Sequence, residues 1–286
     1  MQNNVNGWTK IKVDFETVNE FYQKGNIEIQ GDFYPNEYVL LANELNNKQT
    51  ALGRYEKGKI VRIKESEIHG IKARNLEQRF LCDALVNDKI KLVSVLGAPG
   101  TGKSLLIFAH GFHQTLVEKK YKKIIIIRPL VAVERNKQVG YLKGDKNEKL
   151  LSGYYGAIYD IAEKIGIDSA TLETYIDRRK VEIEATEFIR GRNFENCFVI
   201  VDEVQNMTAE EIFAIASRVE DDCKLCLAGD IGQIDDKNLN KNNNALSIMV
   251  NELIPYEETC HVMLTEVLRS RIAEIITEIR TKYVDR

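Results

Sequence analysis

The stretch Gly97-Ala98-Pro99-Gly100-Thr101-Gly102-Lys103-Ser104 narrows the possible folds of this chain more than any other. Its G-x-x-x-x-G-K-S spacing stands between an apolar run, Leu92-Val93-Ser94-Val95-Leu96, and a helix-like stretch that starts near Leu105. Strand, glycine-rich turn and helix in that order build a phosphate cradle. Gly97, Gly100 and Gly102 let backbone N–H groups point inward with no Cβ in the way. The positive end of the following helix and Lys103 then meet the β- and γ-phosphates of a triphosphate, and Ser104 can hold Mg²⁺. Residues 97–105 are the expected nucleotide contacts, with Ala98, Pro99, Thr101 and Leu105 filling the positions between the glycines and the helix.

A chain of 286 residues is long enough for one large or two unequal domains. Its net charge of −3 excludes a global basic footprint, so any nucleic-acid contact must come from a local patch. The five cysteines are an odd number scattered through apolar segments, which suits a reducing compartment. With no apolar stretch near ~20 residues and no signal peptide, the expectation is a cytoplasmic soluble protein with no membrane partner. Cys223 and Cys226 are spaced as C-x-x-C, but on a strand they face opposite sides of the sheet, against a metal or redox pair. His69, His110, His113 and His261 form no ligand-spaced group.

The first seventy-odd residues carry short alternating segments, Tyr38–Leu41 and Ile60–Lys64, broken by Gly31, Gly53 and Gly58, and read as a small β-rich module over residues 1–72. From Asn75 the period changes to helical. Beyond it, continuous apolar strands at Leu92–Leu96, Ile124–Ile127, Cys197–Val201, Lys224–Ala228 and His261–Leu264 alternate with helices. That pattern predicts an α/β domain over 73–286 with a mostly parallel sheet covered by helices on both faces. Residues 129–193 form a long insertion, mostly helical to judge from the apolar stripe Leu150, Leu151, Tyr154, Ile158, Ile161 and Ile165. Thr208-Ala209-Glu210-Glu211 is a capping box, and Ile272, Ile275, Ile276 and Ile279 make an apolar stripe expected to face the core.

Five residues elsewhere add chemistry. Asp202 and Glu203 follow the buried strand Phe198–Val201, at the carboxyl end where open α/β sheets bind ligands. Asp202 suits the Mg²⁺ shell and Glu203 the attacking water, although a strand that merely ends in a polar turn would look the same. Gln233, in Gly229-Asp230-Ile231-Gly232-Gln233, carries a neutral amide suited to sensing the γ-phosphate or the water. Arg269 follows the fifth strand, where a guanidinium can stabilise transferring phosphoryl charge or simply solvate a helix start. Upstream, the Gln78 amide matches the N6/N7 edge of adenine, while Asn75-x-x-Gln78 also reads as a helix cap.

With these motifs in order, residues 35–286 resemble the PhoH-like family of P-loop ATPases. Asp202-Glu203-Val204-Gln205-Asn206 is similar to its D-E-A-Q-N, and Ile189-Arg190-Gly191-Arg192 to its R-G-R element. Arg128-Pro129-Leu130-Val131, Gly140-Tyr141-Leu142 with Gly144-Asp145, and Gly229-Asp230 with Gln233-Ile234-Asp235 fit as well. The family in turn resembles the first motor domain of superfamily 1 helicases, whose upstream glutamine, G-D-x-x-Q and Y-R-S motifs compare with Gln78, Asp230/Gln233 and Leu268-Arg269-Ser270. The resemblance implies a RecA-like P-loop NTPase fold, ATP and Mg²⁺ as ligands, catalytic roles for Lys103, Glu203, Gln233 and Arg269, and RNA or single-stranded DNA as substrate.

Two departures matter. Long family members carry an N-terminal PIN nuclease for which residues 1–72 are too short, so nuclease activity is not expected. Only about fifty residues follow Gln233, too few for a second motor domain. The missing arginine donor then points to a homo-oligomer, a ring such as a hexamer, with Arg190, Arg192 or Arg218 acting in trans. Residues 135–149, with Arg135, Lys137, Lys143, Lys146 and Lys149 around Tyr141, either line a strand-binding groove or form a solvated loop. The competing reading is a nucleotide-gated assembly or protein-binding module with slow ATPase and no nucleic-acid substrate; a small-molecule kinase fits the paired acids less well.

Overall fold

The runs rich in β-branched residues form strands because such side chains pack on both faces of a pleated sheet. A computed structural model describes residues 6–64, 67–68, 70–129, 152–189 and 191–267, together with positions 272, 275 and 279. The small N-terminal sheet is built from β1 (Trp8–Val13), β2 (Asn26–Ile27), β3 (Tyr38–Asn43), β4 (Thr50–Glu56) and β5 (Lys59–Arg62). Its order is β1-β3-β4-β5-β2, with β1 and β3 parallel and the other pairs antiparallel. Helix α1 (Phe15–Lys24) crosses it, capped by Asp14, whose carboxylate accepts the Thr17 N–H at 2.7 Å, and ended by Gly25 in the left-handed region at φ 74°. Reading the module as β-rich alone overlooked this helix, which buries only Val18 and Phe21.

Six strands make the larger sheet: β6 (Leu92–Gly97), β7 (Lys123–Arg128), β8 (Val181–Ala185), β9 (Cys197–Val201), β10 (Lys224–Gly229) and β11 (Thr259–Leu264). They run parallel in the order β11-β6-β10-β9-β7-β8. One face is covered by α2 (Leu76–Val86), α3 (Lys103–Phe112), α4 (Ser152–Lys164) and α5 (Ser169–Asp177), which pack Phe80, Phe108, Ile158 and Leu172 with Val93, Ile124 and Ile126. On the other face α6 (Ala209–Ala216) and α7 (Ala245–Leu253) set Ile212, Ile215 and Leu246 against Ile125, Ile127 and Val199. The capping box is formed, Thr208 Oγ1 accepting the Glu211 N–H and Glu211 accepting the Thr208 N–H. Cys226 packs on the first face and Cys223 on the second, as alternation requires, and the five cysteines are buried and form no disulfide.

The mostly helical insertion also carries a strand, residues 181–185, which form the edge strand β8. One expectation changes. The isoleucine stripe near the C-terminus is not core at its described positions: Ile272, Ile275 and Ile279 are 74%, 40% and 48% exposed.

The two sheets meet through α2. Alternation along β3 sends Val39 and Leu41 toward α1 and Tyr38 toward α2, where its ring stacks on Phe80 at 4.5 Å. Asp83 closes the contact, accepting from Tyr38 Oη at 3.1 Å, Arg54 Nε at 3.2 Å and the Lys64 N–H at 2.8 Å. Asn36 bridges Arg54 to β11, accepting from the Arg54 guanidinium and donating to the Glu257 and Thr259 carbonyls.

Candidate nucleotide site

Parallel pairing brings the carboxyl ends of β6, β10, β9 and β7 side by side, so the loops leaving them converge at one edge. The first, residues 97–104, turns tightly: Gly100 and Gly102 have φ of 88° and 87°. A Cβ on Gly97 would stand 2.7 Å from Thr101 Oγ1, and one on Gly102 would stand 2.7 Å from Gln78 Nε2. Thr101 Oγ1 donates to the Ala98 carbonyl at 2.9 Å, pinning the loop beneath the start of α3. Lys103 and Ser104 open that helix, and Lys103 is largely buried. The cradle thus has the glycines, the helix start and the cation that a polyphosphate requires.

Asn75 and Gln78 lie beside it. Asn75 caps α2, its Oδ1 accepting the Gln78 backbone N–H at 2.9 Å, so the cap engages only the main chain of Gln78. The Gln78 amide donates to the Thr101 carbonyl and accepts the Arg74 N–H, both at 2.8 Å. A cavity of about 540 Å³ opens next to these residues, lined by Ile71, Arg74, Gln78, Gly100, Gly102 and Leu105. Glu77 binds in the opposite direction, accepting from Thr265 N at 2.5 Å and Thr265 Oγ1 at 2.7 Å, and so ties the residues after β11 to the first turn of α2.

Asp202 and Glu203 end β9 opposite the loop. Asp202 is 5% exposed; its Oδ2 accepts the Tyr154 hydroxyl at 3.2 Å, and its Oδ1 is buried with no hydrogen-bond partner. Burial, reinforced by the Glu203 charge, raises its carboxyl above the usual range, with Arg128 and Lys103 pulling the other way. An unpartnered buried carboxylate oxygen fits the donor chemistry of a divalent-cation ligand, and Ser104, in the first turn of α3, carries a hydroxyl of the same oxygen-donor kind. Glu203 sits in the left-handed region at φ 58°, rare for a residue with a side chain. Gln233 follows β10 in a turn closed by its N–H to the Asp230 carbonyl at 2.9 Å.

Several expected residues lie outside the described residues: Arg269, Arg190 and the basic segment 135–149. Arg192 is described, and its guanidinium is bonded in cis to Glu182 and Glu184 of β8. Arg218 is half-buried at the opposite end of the sheet from the loop.

Three residues of the site were not singled out from the sequence. Gln205, fully buried, donates to Glu203 Oε2 at 2.6 Å and to the Gln233 carbonyl at 3.0 Å. Arg128 ends β7 with its Nη2 4.0 Å from Glu203 Oε1, and both residues appeared only within longer motifs. Tyr154 was read as one member of an apolar stripe.

A family model described as PhoH-like protein matches residues 70–281. Protein PhoH2 of Bacillus subtilis is 32% identical over 96% of this chain and 64% of its own length. Protein PhoH2 of Thermobispora bispora is 31% identical, covering 95% and 62%, and a PhoH-like protein of Synechocystis is 28% identical, covering 81% and 65%. The chain therefore spans a little under two thirds of these relatives. Among solved structures, Pif1 helicase from Candida albicans aligns with a TM-score of 0.37 at 14% identity, covering 74% of this chain and 44% of that one. Among the described residues no helix is long and apolar enough to cross a membrane.

Proposed function

Because this chain belongs to the PhoH-like protein family, a family of P-loop NTPases, we propose that it is an Mg²⁺-dependent ATP hydrolase that couples turnover to binding or remodelling RNA or single-stranded DNA. The observation that carries the hydrolytic half is the buried, unpartnered Asp202 Oδ1, one residue from Glu203 and close enough to Lys103 to feel its charge. Magnesium, held by Ser104 and Asp202, would supply charge neutralisation at the β- and γ-phosphates. Lys103 and the backbone of residues 97–105 bind the triphosphate. Glu203 takes the proton of the attacking water, Gln233 orients that water or the γ-phosphate, and Arg269 adds positive charge. Gln78 and Asn75 bound the base end.

The nucleic-acid half rests on family likeness and the G-D-x-x-Q segment. A homo-oligomer, a ring such as a hexamer, is part of the proposal, with Arg190, Arg192 or Arg218 as the arginine offered in trans. The net charge of −3 favours the second reading, a nucleotide-gated assembly module with slow turnover. Steady-state ATPase with and without single-stranded RNA and DNA over a range of salt separates the two. Stimulation is expected; its absence at every salt concentration overturns the nucleic-acid half. Wild-type turnover in Lys103→Ala or Glu203→Gln would overturn the site itself.

A further inference from the structure

Two residues with no assigned step in phosphate chemistry stand against its two acids. Tyr154, in the first turn of α4, donates its hydroxyl to Asp202 Oδ2 at 3.2 Å. The Arg128 guanidinium lies 4.5 Å over the Tyr154 ring and 4.0 Å from Glu203 Oε1. Helix α4 thus reaches Asp202 directly and Glu203 through a shared cation.

The details favour alignment over packing alone. Tyr154 is 5% exposed at the border of the core, where phenylalanine would fill nearly the same volume; burial of its hydroxyl is tolerated because Asp202 accepts it. A carboxylate turns about its last torsion, so anchoring Oδ2 fixes the direction of Oδ1, the oxygen left buried and without a partner. Arg128 Nε is likewise buried with no acceptor, so the cation is held by the ring and the charges around it and not by a hydrogen bond to Nε.

We propose that Tyr154 is a positioning residue: its hydroxyl aims Asp202 Oδ1 at the divalent ion, and its ring holds Arg128 against Glu203, so that α4 sets the alignment of both acids. This rests on the reading of Asp202 and Glu203 given above. It makes the helical part of the 129–193 insertion a control element of the hydrolytic centre.

Tyr154→Phe keeps the ring and loses the hydroxyl, whereas Tyr154→Leu loses both. The decisive readout is Mn²⁺ binding to the ADP complex, followed by electron paramagnetic resonance, alongside metal-free ADP affinity and kcat for ATP at saturating Mn²⁺. For Tyr154→Phe the Mn²⁺ dissociation constant rises at least fivefold, metal-free ADP affinity stays within twofold, and kcat recovers at saturating Mn²⁺. For Tyr154→Leu kcat stays at least tenfold low even at saturating Mn²⁺. Mn²⁺ affinity within twofold of wild type in Tyr154→Phe overturns the proposal, and that variant decides alone if Tyr154→Leu does not fold. Full turnover in Glu203→Gln would instead sink the underlying site reading; an inactive Glu203→Gln with unchanged Mn²⁺ binding in Tyr154→Phe sinks only this inference.

Discussion

Gln205 joins Glu203 to the strand beyond it, donating to Glu203 Oε2 at 2.6 Å while its own Oε1 accepts the Asp230 N–H at 3.0 Å. The contact is tight enough that a Cβ on Gly229 would fall 2.3 Å from that Oε1. A left-handed backbone at a residue with a side chain costs on the order of 1–3 kcal/mol and persists only where its surroundings hold it. Gln205 is part of what holds Glu203 there.

Gln205→Ala is expected to lower kcat for ATP by roughly tenfold to a hundredfold, because Glu203 loses its orientation. It also leaves the Asp230 N–H without its acceptor, at about 1–3 kcal/mol of stability. Steady-state kinetics and urea unfolding check the two effects separately; an unchanged kcat would contradict the role.

Gly102→Ala acts on the cradle. It forces a side chain into φ 87° and onto Gln78 Nε2, so the loop must distort. Binding of a fluorescent ATP analogue should weaken by at least tenfold while circular dichroism stays that of the wild type.

Asp83→Ala tests the union of the two sheets. It removes one of the two carboxylates that meet the Arg54 guanidinium, leaving Glu56 at 3.1 Å, and takes away the acceptor of Tyr38 Oη and of the Lys64 N–H, a loss on the order of 3 kcal/mol. The melting temperature should fall, with the small sheet and the large one unfolding in one transition. Two separated transitions in the wild type would show the sheets to be independent.

Glu37 predicts a pH effect on stability. Burial raises its carboxyl to about 7, with the Tyr34 N–H pulling it down and Asp32 pushing it up. The folded chain therefore holds a proton that the unfolded chain has released between about pH 4.5 and 7, so this group's contribution is full at the acid end and is lost as pH rises through 7. Glu37→Gln should flatten that part of the stability profile in denaturant titrations across the window. An unchanged slope would rule the carboxyl out.

How far the sequence could be read depended on what each residue's partner was. Ile124–Ile127 and Cys197–Val201 were legible as strands because both faces are buried and every position is apolar. Val181–Ala185 carries the alternation of a half-buried strand, but it lies inside a stretch whose other apolar residues have helical spacing, and only the fold shows that Lys123 and Arg192 pair with its Glu182 and Glu184. The phosphate loop and the acid pair were legible from local spacing. The hydroxyl of Tyr154 was not, because its acceptor lies 48 residues away and a tyrosine in an apolar stripe has the same period as a leucine. Ile272, Ile275 and Ile279 mark the same limit from the other side: periodicity tells which face of a helix is apolar and says nothing of what, if anything, lies over it.

The amide of Gln78 is already occupied at both ends, by the Thr101 carbonyl and the Arg74 N–H. Each end nevertheless keeps one further position, a second N–H and a second lone pair, so a group that bonded there would meet a side chain already fixed by the phosphate loop. Whatever pulled that amide away from the Thr101 carbonyl would loosen the loop, and a loop shifted by phosphates would carry the amide with it.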